Sequence, residues 1–187
     1  MSDKNTYKRP SDSDTTITEL MIPSYANFGG KIHGGILLSL MDKVAYACAT
    51  KHAENYCVTV SVENVDFLQP VDVGDLVSMT ARVNYTGTSS MVVGIRVMAE
   101  NVKERVAKHT NTSYFTMVAK GDDGEPAPVP GLLLTQPVDL RRYAEALTRK
   151  ELRQWRKDTM QQRIEAYNVG EEIRRLEDHN CIVRLED

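Results

Sequence analysis

NFGGKIHGGILLSLMDKVAYACAT, residues Asn27 to Thr50, is the stretch around which the rest of the chain is arranged. It opens as a glycine-rich turn, with Gly29-Gly30 and Gly34-Gly35, which lets the backbone approach another surface closely. From Ile36 to Ala49 it runs apolar, broken only by Ser39, Asp42 and Lys43. That run has neither Gly nor Pro and is rich in Leu, Met and Ala, which predicts a helix. At about 100° per residue, Leu37, Leu40, Met41, Val44 and Cys48 form one bulky stripe. Asp42 falls on another face, beside Leu38, Ala45 and Ala49. A helix this apolar is expected to be buried almost all round, where a carboxylate is costly unless partnered. Two readings stay open: a structural Asp42, at a surface gap or ion-paired with Lys43 or an arginine, or a working carboxylate in a cleft or subunit interface.

The start of this helix adds a second feature. First-turn N–H groups lack a partner within the helix, and the helix dipole makes that end electropositive. Gly34 and Gly35 carry no side chain to shield those donors, so a carbonyl oxygen gaining charge during reaction could rest there, as in an oxyanion hole. Asp42 lies two turns on, about 10–12 Å along the axis at about 1.5 Å per residue. A site using both features is more easily drawn from two chains than from one.

The segment PSYANFGGKIHGGILLSLMDKVAYACA, Pro23 to Ala49, resembles the signature of hotdog-fold acyl-CoA thioesterases, particularly the bacterial and mammalian acyl-CoA hydrolase branch. The matching features are an Asn in the loop, the HGG turn entering the helix and the LMD on that helix, and the likeness extends through roughly Thr15 to Val118. HGG alone is a weak signal; the three together at this spacing are specific. The resemblance implies an antiparallel sheet wrapped around one long central helix. It implies Asn27 and Asp42 as a catalytic pair contributed by different subunits, with the amide at Gly34 or Gly35 polarising the thioester carbonyl. It also implies dimers, often assembled further into trimers of dimers.

Composition sets the frame for this chemistry. The chain has 187 residues, 41% hydrophobic and 26% charged, enough for one domain with a sizeable core plus an appendage. A net charge of −3 argues against a general nucleic-acid or membrane-surface role. Cys48, Cys57 and Cys181 are odd in number and show no CxxC spacing, so they are expected to be reduced thiols rather than a disulfide framework or zinc site. Cys48 lies in the bulky stripe and is expected to pack in the core. Met1 to Asp14 is polar and charged, unlike a signal peptide, and no apolar run reaches the roughly 18 residues of a membrane span; the expectation is a cytoplasmic protein.

In chain order, residues 1–14 read as a flexible N-terminal arm. Thr15 to Ile22 has a β-branched strand pattern ended by Pro23. The glycine loop and the helix follow, the helix running to about Ala53. Tyr56 to Phe67 alternates, with Val58, Val60 and Val62 facing one way and Thr59, Ser61 and Glu63 the other. Asp75 to Tyr85, Ser90 to Val102 and Arg105 to Ala119 read as three further strands, with a tight reversal at Gly87, and their spacing suits an antiparallel meander. One helix against a curled antiparallel sheet is an α+β arrangement with exposed sheet edges, which side-by-side dimerisation would pair. Residues 15–120 thus form the expected hotdog domain, 121–138 a Pro- and Gly-rich linker and 139–187 a C-terminal helical extension. That extension is expected to start at an Asp139 N-cap and to break at Gly170. Its sparse apolar residues, Trp155 among them, either pack on the main domain or a neighbouring subunit or leave a solvated mixed-charge helix.

A thioester is an activated acyl group, and its hydrolysis needs a polarised carbonyl, a nucleophile and dispersal of oxyanion charge. Asp42 could act as general base on water or attack directly to give a mixed anhydride. Asn27 carries a donor and an acceptor; by residue type alone it reads as an Asx turn, and its family spacing to HGG and Asp42 turns the preference toward substrate or water. His33 as a base would suit dehydration of a hydroxyacyl thioester. The thioesterase branch also has His there, so His33 is assigned to shaping the turn or touching substrate. Ser61 could approach the thioester, without a Ser-His-Asp context to make it a nucleophile. Ser89, Ser90, Arg96 and Lys103 are candidates for coenzyme A phosphates. No metal-ligand or P-loop spacing appears, and the reaction calls for no cofactor. The expected function is acyl-CoA hydrolysis by a self-associating enzyme; a hydroxyacyl-thioester dehydratase and a non-catalytic acyl-CoA-binding regulator are the alternatives.

Overall fold

The computed structural model describes residues 7–185. The chain separates into two compact units, Met1–Ala146 and Leu147–Asp187. In the first, a five-stranded antiparallel sheet forms from β2 (Thr15–Leu20), β3 (Tyr56–Val62), β4 (Asp75–Thr86), β5 (Ser90–Asn101) and β6 (Val106–Lys120), in the order β2-β4-β5-β6-β3. The helix α1 (Gly34–Ala53) follows the glycine loop and lies on one face of that sheet. The meander β4-β5-β6 pairs in register, Met79 opposite Val97 and Val93 opposite Phe115.

The core lies between α1 and the sheet. Leu37, Leu40, Met41, Val44 and Cys48 of the helix stripe are buried against Val77, Met79, Val93, Ile95, Phe115 and Met117. Ala45 and Ala49 on the helix and Ala81, Ala99 and Ala119 on the strands are also buried. These small residues let helix and sheet approach closely without a void.

The helix is covered on one side only. Leu38, Ser39, Asp42, Lys43 and Tyr46 are exposed, so the expectation of burial almost all round does not hold within one chain. Periodicity placed the bulky stripe correctly; what it does not reveal is that a single sheet covers only one side of a helix.

Several segments differ from their sequence reading. Of the expected arm, residues 1–6 lie outside the described residues, and 7–14 are packed. Tyr7–Lys8 form β1, paired in parallel with β7 (Gly131–Leu132), and Pro10 and Ser13 are buried. Ser13 Oγ donates to the Pro10 carbonyl at 2.6 Å and accepts from the Val83 N–H at 2.9 Å, so burial costs this hydroxyl nothing. The 121–138 segment is no free linker. Ala127 N–H donates to the Ala119 carbonyl and Val129 N–H to that of Thr88, and Val129 enters the core. Its prolines exclude a regular ladder, but single backbone hydrogen bonds still hold it down.

β3 ends at Val62 rather than Phe67, and its register shifts between Thr59 and Ser61. Cys57 is its buried residue, while Val60 and Val62 are exposed along an edge strand. The helix α2 (Pro137–Glu165) begins two residues before Asp139, which sits inside the first turn, buried, 3.5 Å from Arg82 Nη1, rather than capping. The break comes at residues 166–168, and Gly170 lies within α3 (Val169–Leu176), capped by the Asn168 side chain accepting from the Glu171 N–H. In the second unit Leu152, Trp155, Ile164 and Tyr167 are exposed. No helix of the described residues is long and apolar enough to cross a membrane.

Candidate active site

Asp42 stands on the uncovered side of α1, facing the edge strand β3. Thr59 Oγ1 donates to Asp42 Oδ1 at 2.6 Å. Oδ2 has no partner among the described residues, so the carboxylate is held by one oxygen and open at the other. The pair lines a cleft of about 330 Å³ with Lys43, Tyr46, Tyr56, Cys57 and Val58. The Tyr46 and Tyr56 rings, 6.0 Å apart and tilted, form one wall. Burial pushes the Cys57 thiol up from its ordinary value and the Cys48 thiol up to about 12. Both are core thiols, poorly suited to nucleophilic attack.

The turn entering α1 distinguishes its two glycines. His33 is the N-cap, and its Nδ1 accepts from the Gly35 N–H at 2.9 Å. With Nδ1 an acceptor, the hydrogen of the neutral ring is assigned to Nε2. The Gly35 donor is therefore taken. The Gly34 N–H, first in the helix, has no partner among the described residues and is the open donor of the turn. A Cβ at Gly34 would come 3.3 Å from the Phe67 ring, so glycine lets that ring lie against the helix start.

Asn27 closes the base of a small loop whose tip is Phe28 to Gly30. Its Oδ1 accepts from the Gly29 and Lys31 N–H groups at 2.9 and 3.2 Å, and its own N–H donates to the Lys31 carbonyl at 2.7 Å. Gly30, at φ 75°, makes the reversal that an L side chain would strain. The Asx turn is thus present, and it fixes the amide: with Oδ1 engaged, the side-chain NH₂ has no partner among the described residues. Lys31 pairs with Asp72, which Lys108 also approaches at 3.4 Å. Those lysines, Lys31 first, hold the Asp72 carboxyl below its ordinary range and tie the loop to the sheet end. No hydrogen bond joins Asn27 to Asp42 within the chain.

The remaining candidates do not gather round Asp42. The shift in β3 pairs Ser61 with Thr116, while Thr59 pairs with Met117. Met117 is a core residue on the α1 side and Thr116 its neighbour, so alternation puts Ser61 on the other face. Ser89 and Ser90 lie at the β4–β5 turn, where their carbonyls accept from the Ala119 and Gly87 N–H groups. Lys103 lies in the turn at the far end of β5, a strand ~35 Å long at about 3.3 Å per residue. Arg96 is exposed on the sheet face turned away from α1. Thr59 is the partner of Asp42 that sequence reasoning missed. Its polar face on β3 was the available signal, but two residues of that face competed, and only the register shift separates them.

Comparisons with known proteins identify the family and the fold. The family model described as Thioesterase superfamily matches residues 29–106. Protein VdlD of Helicobacter pylori is 47% identical over 134 residues, covering 72% of this chain and 76% of that protein. A crystal structure of an apo-hexameric acyl-CoA thioesterase is 36% identical with a TM-score of 0.79, covering 81% of this chain and 97% of that one. The acyl-CoA hydrolase of Staphylococcus aureus, solved with butyryl coenzyme A and coenzyme A, is 34% identical with a TM-score of 0.76, covering 86% and 98%. Structures also exist of its alanine variants at an asparagine, an aspartate and a threonine. By fold and by these relatives, the chain belongs to the hotdog acyl-CoA thioester hydrolases of the thioesterase superfamily.

Proposed function

We propose that this enzyme hydrolyses fatty acyl-CoA to the free acid and coenzyme A, with Asp42 as the reacting carboxylate. The observation that carries this reading is the Asp42–Thr59 pair, a carboxylate oriented by one oxygen and open at the other in an accessible cleft. The three variants of the Staphylococcus aureus hydrolase support it. Each substituted asparagine, aspartate and threonine has a number one higher than Asn27, Asp42 and Thr59 here, so the three share the same spacing in both chains.

The chemistry follows from the groups present. Asp42 Oδ2 takes a proton from water as the water oxygen bonds to the thioester carbon, or attacks that carbon itself to give a mixed anhydride that water then opens. In both routes charge builds on the carbonyl oxygen, where the Gly34 N–H and the Asn27 NH₂ are the open donors. The C–S bond then breaks, and the leaving sulfur takes a proton to become the thiol of coenzyme A. Water is the only co-reactant, and no cofactor is required. Asn27 and the helix start come from one subunit and Asp42 from its partner, in a dimer that assembles further. The dehydratase reading is weaker, because the His33 Nδ1 that would serve as base caps the helix.

Free-thiol release from acyl-CoAs of increasing chain length, for the wild type beside Asp42→Asn, tests the proposal. Release should be rapid in the wild type and at least about 100-fold slower in the folded variant, the usual scale of a lost general base or nucleophile. Tight acyl-CoA binding with no release by either protein would instead favour the regulator.

A further inference from the structure

Lys31 stands between the Asn27 loop and the sheet. Its main chain grips Asn27 twice. The Lys31 N–H donates to Asn27 Oδ1 at 3.2 Å, and the Lys31 carbonyl accepts from the Asn27 N–H at 2.7 Å. The Gly29 N–H also donates to Oδ1, at 2.9 Å. Two N–H donors can meet only the oxygen of an amide, so these bonds set the amide plane and with it the direction of the NH₂ group. Among the described residues, Asn27 bonds only within its own loop, to Gly29, Gly30 and Lys31. Its place relative to the sheet is therefore passed on through Lys31.

The far end of Lys31 reaches a fixed group. A backbone bridge sets Lys31 opposite Asp72, in the turn before β4, and the Ile32 N–H donates to the Val71 carbonyl at 2.9 Å. The Lys31 ammonium then pairs with Asp72 Oδ1. Asp72 is itself anchored to two strands. Its N–H donates at 3.0 Å to Oδ2 of Asp75, the buried first residue of β4. Lys108 of β6 approaches Asp72 Oδ2 at 3.4 Å and Asp75 Oδ2 at 3.5 Å. Gly29 and Gly30 give the loop backbone a freedom that a tether at Lys31 removes.

We propose that Lys31 and Asp72 are positioning residues for the hydrolysis: their ion pair fixes the loop so that the Asn27 NH₂ is held ready for the thioester carbonyl. The inference rests on the reading of Asn27 as a carbonyl donor. A donor that wanders loses value to a developing oxyanion, because this kind of stabilisation depends on donors fixed in advance. Binding of the long substrate, spread over many contacts, depends far less on that one donor. The side chains of Lys31 and Asp72 are 50% and 43% exposed, which sets the effect at a few-fold rather than at orders of magnitude.

Steady-state thiol release by the intact protein tests the inference, with wild type beside Asp72→Asn, Lys31→Gln, their double variant, Lys31→Arg and Asn27→Ala. Asp72→Asn and Lys31→Gln are each expected to lower kcat about threefold, with KM changed less than about twofold. The double variant should be no slower than either single one, because both cut the same tie, and Lys31→Arg should restore the rate. The gap in kcat between wild type and Asp72→Asn should close at about 1 M salt, where the Debye length falls to about 3 Å. Unchanged kcat in both single variants, with Asn27→Ala inactive, would overturn the inference and leave the role of Asn27 standing. Asn27→Ala with wild-type kcat would instead remove the reading beneath it. A lowered thermal midpoint with unchanged kcat would make the pair structural only. A raised KM confined to Lys31→Gln would make Lys31 a contact for the anionic substrate, and either result would equally overturn the inference.

Discussion

Thr59 determines how Asp42 presents its charge. Its hydroxyl fixes one carboxylate oxygen at 2.6 Å and leaves the other to the cleft. A hydrogen bond to a charged group contributes about 1.5–3 kcal/mol when buried, and this one borders solvent, so the lower end applies. Thr59→Ala should therefore lower kcat about tenfold with little change in KM, because the lost bond orients the carboxylate proposed to react rather than holding substrate. Thr59→Ser restores the hydroxyl and should recover most of the rate. Steady-state thiol release by the three proteins decides it; an alanine variant with wild-type kcat would make Thr59 a packing residue. Asn27 and Asp42 stood out in the sequence because the family resemblance marks the asparagine of the glycine loop and the aspartate of the apolar helix; from residue type alone Asn27 reads as the Asx turn that the structure shows. Thr59 did not stand out, since its reach to Asp42 depends on where β3 slips. His33 and Gly35 were legible as a turn, but only the 2.9 Å cap shows that one glycine donor is already used.

At the level of elements, α1 and the β4-β5-β6 meander were readable within a residue or two, because period 3.6 and period 2 are written in the side chains. The segment from Gly121 to Gln136 was not, because its hold comes from main-chain groups and from one buried histidine. His52, in the last turn of α1, is 1% exposed, and its Nε2 lies 2.9 Å from the Pro130 carbonyl. The carbonyl can only accept, so Nε2 carries the hydrogen, and the buried Nδ1 has no partner. Burial pushes the His52 pKa below its ordinary 6.5. The folded state thus keeps the ring neutral at a pH where the unfolded chain takes up a proton. The stability this group contributes is complete above pH 6.5 and is lost as pH falls from there toward the lowered folded value. The slope from one such proton cannot exceed about 1.4 kcal/mol per pH unit. Urea unfolding at pH 7.5, 6.5 and 5.5 should show this loss in the wild type and a flatter profile in His52→Gln. Parallel profiles would mean that other groups carry the acid sensitivity.

For the whole molecule, the exposed surfaces argue that the working unit is more than one chain. β3 is an edge strand whose Val60 and Val62 are exposed, and Leu38 and Tyr46 of α1 are exposed beside it. Phe28, next to Asn27, is fully exposed. An unprotected apolar edge on a stable protein is expected to be covered by another chain. The open donor of Asn27 and the open oxygen of Asp42 share no hydrogen bond in one chain, and a two-fold dimer would bring each to the other's partner twice. This has a numerical consequence. Asn27→Ala and Asp42→Ala should each be nearly inactive as homo-oligomers. In a mixed dimer, one site receives Asn27 and Asp42 intact from different chains, while the other has lost both. Random co-folding at equal amounts makes half of the dimers mixed, so about a quarter of wild-type activity should return. If both residues of a site come from the same chain, no mixture can rebuild one, and activity stays at the level of the parents. Differently tagged chains, purified through both tags to isolate the mixed species, raise the expected return to about half and exclude incomplete exchange as the cause of a null result.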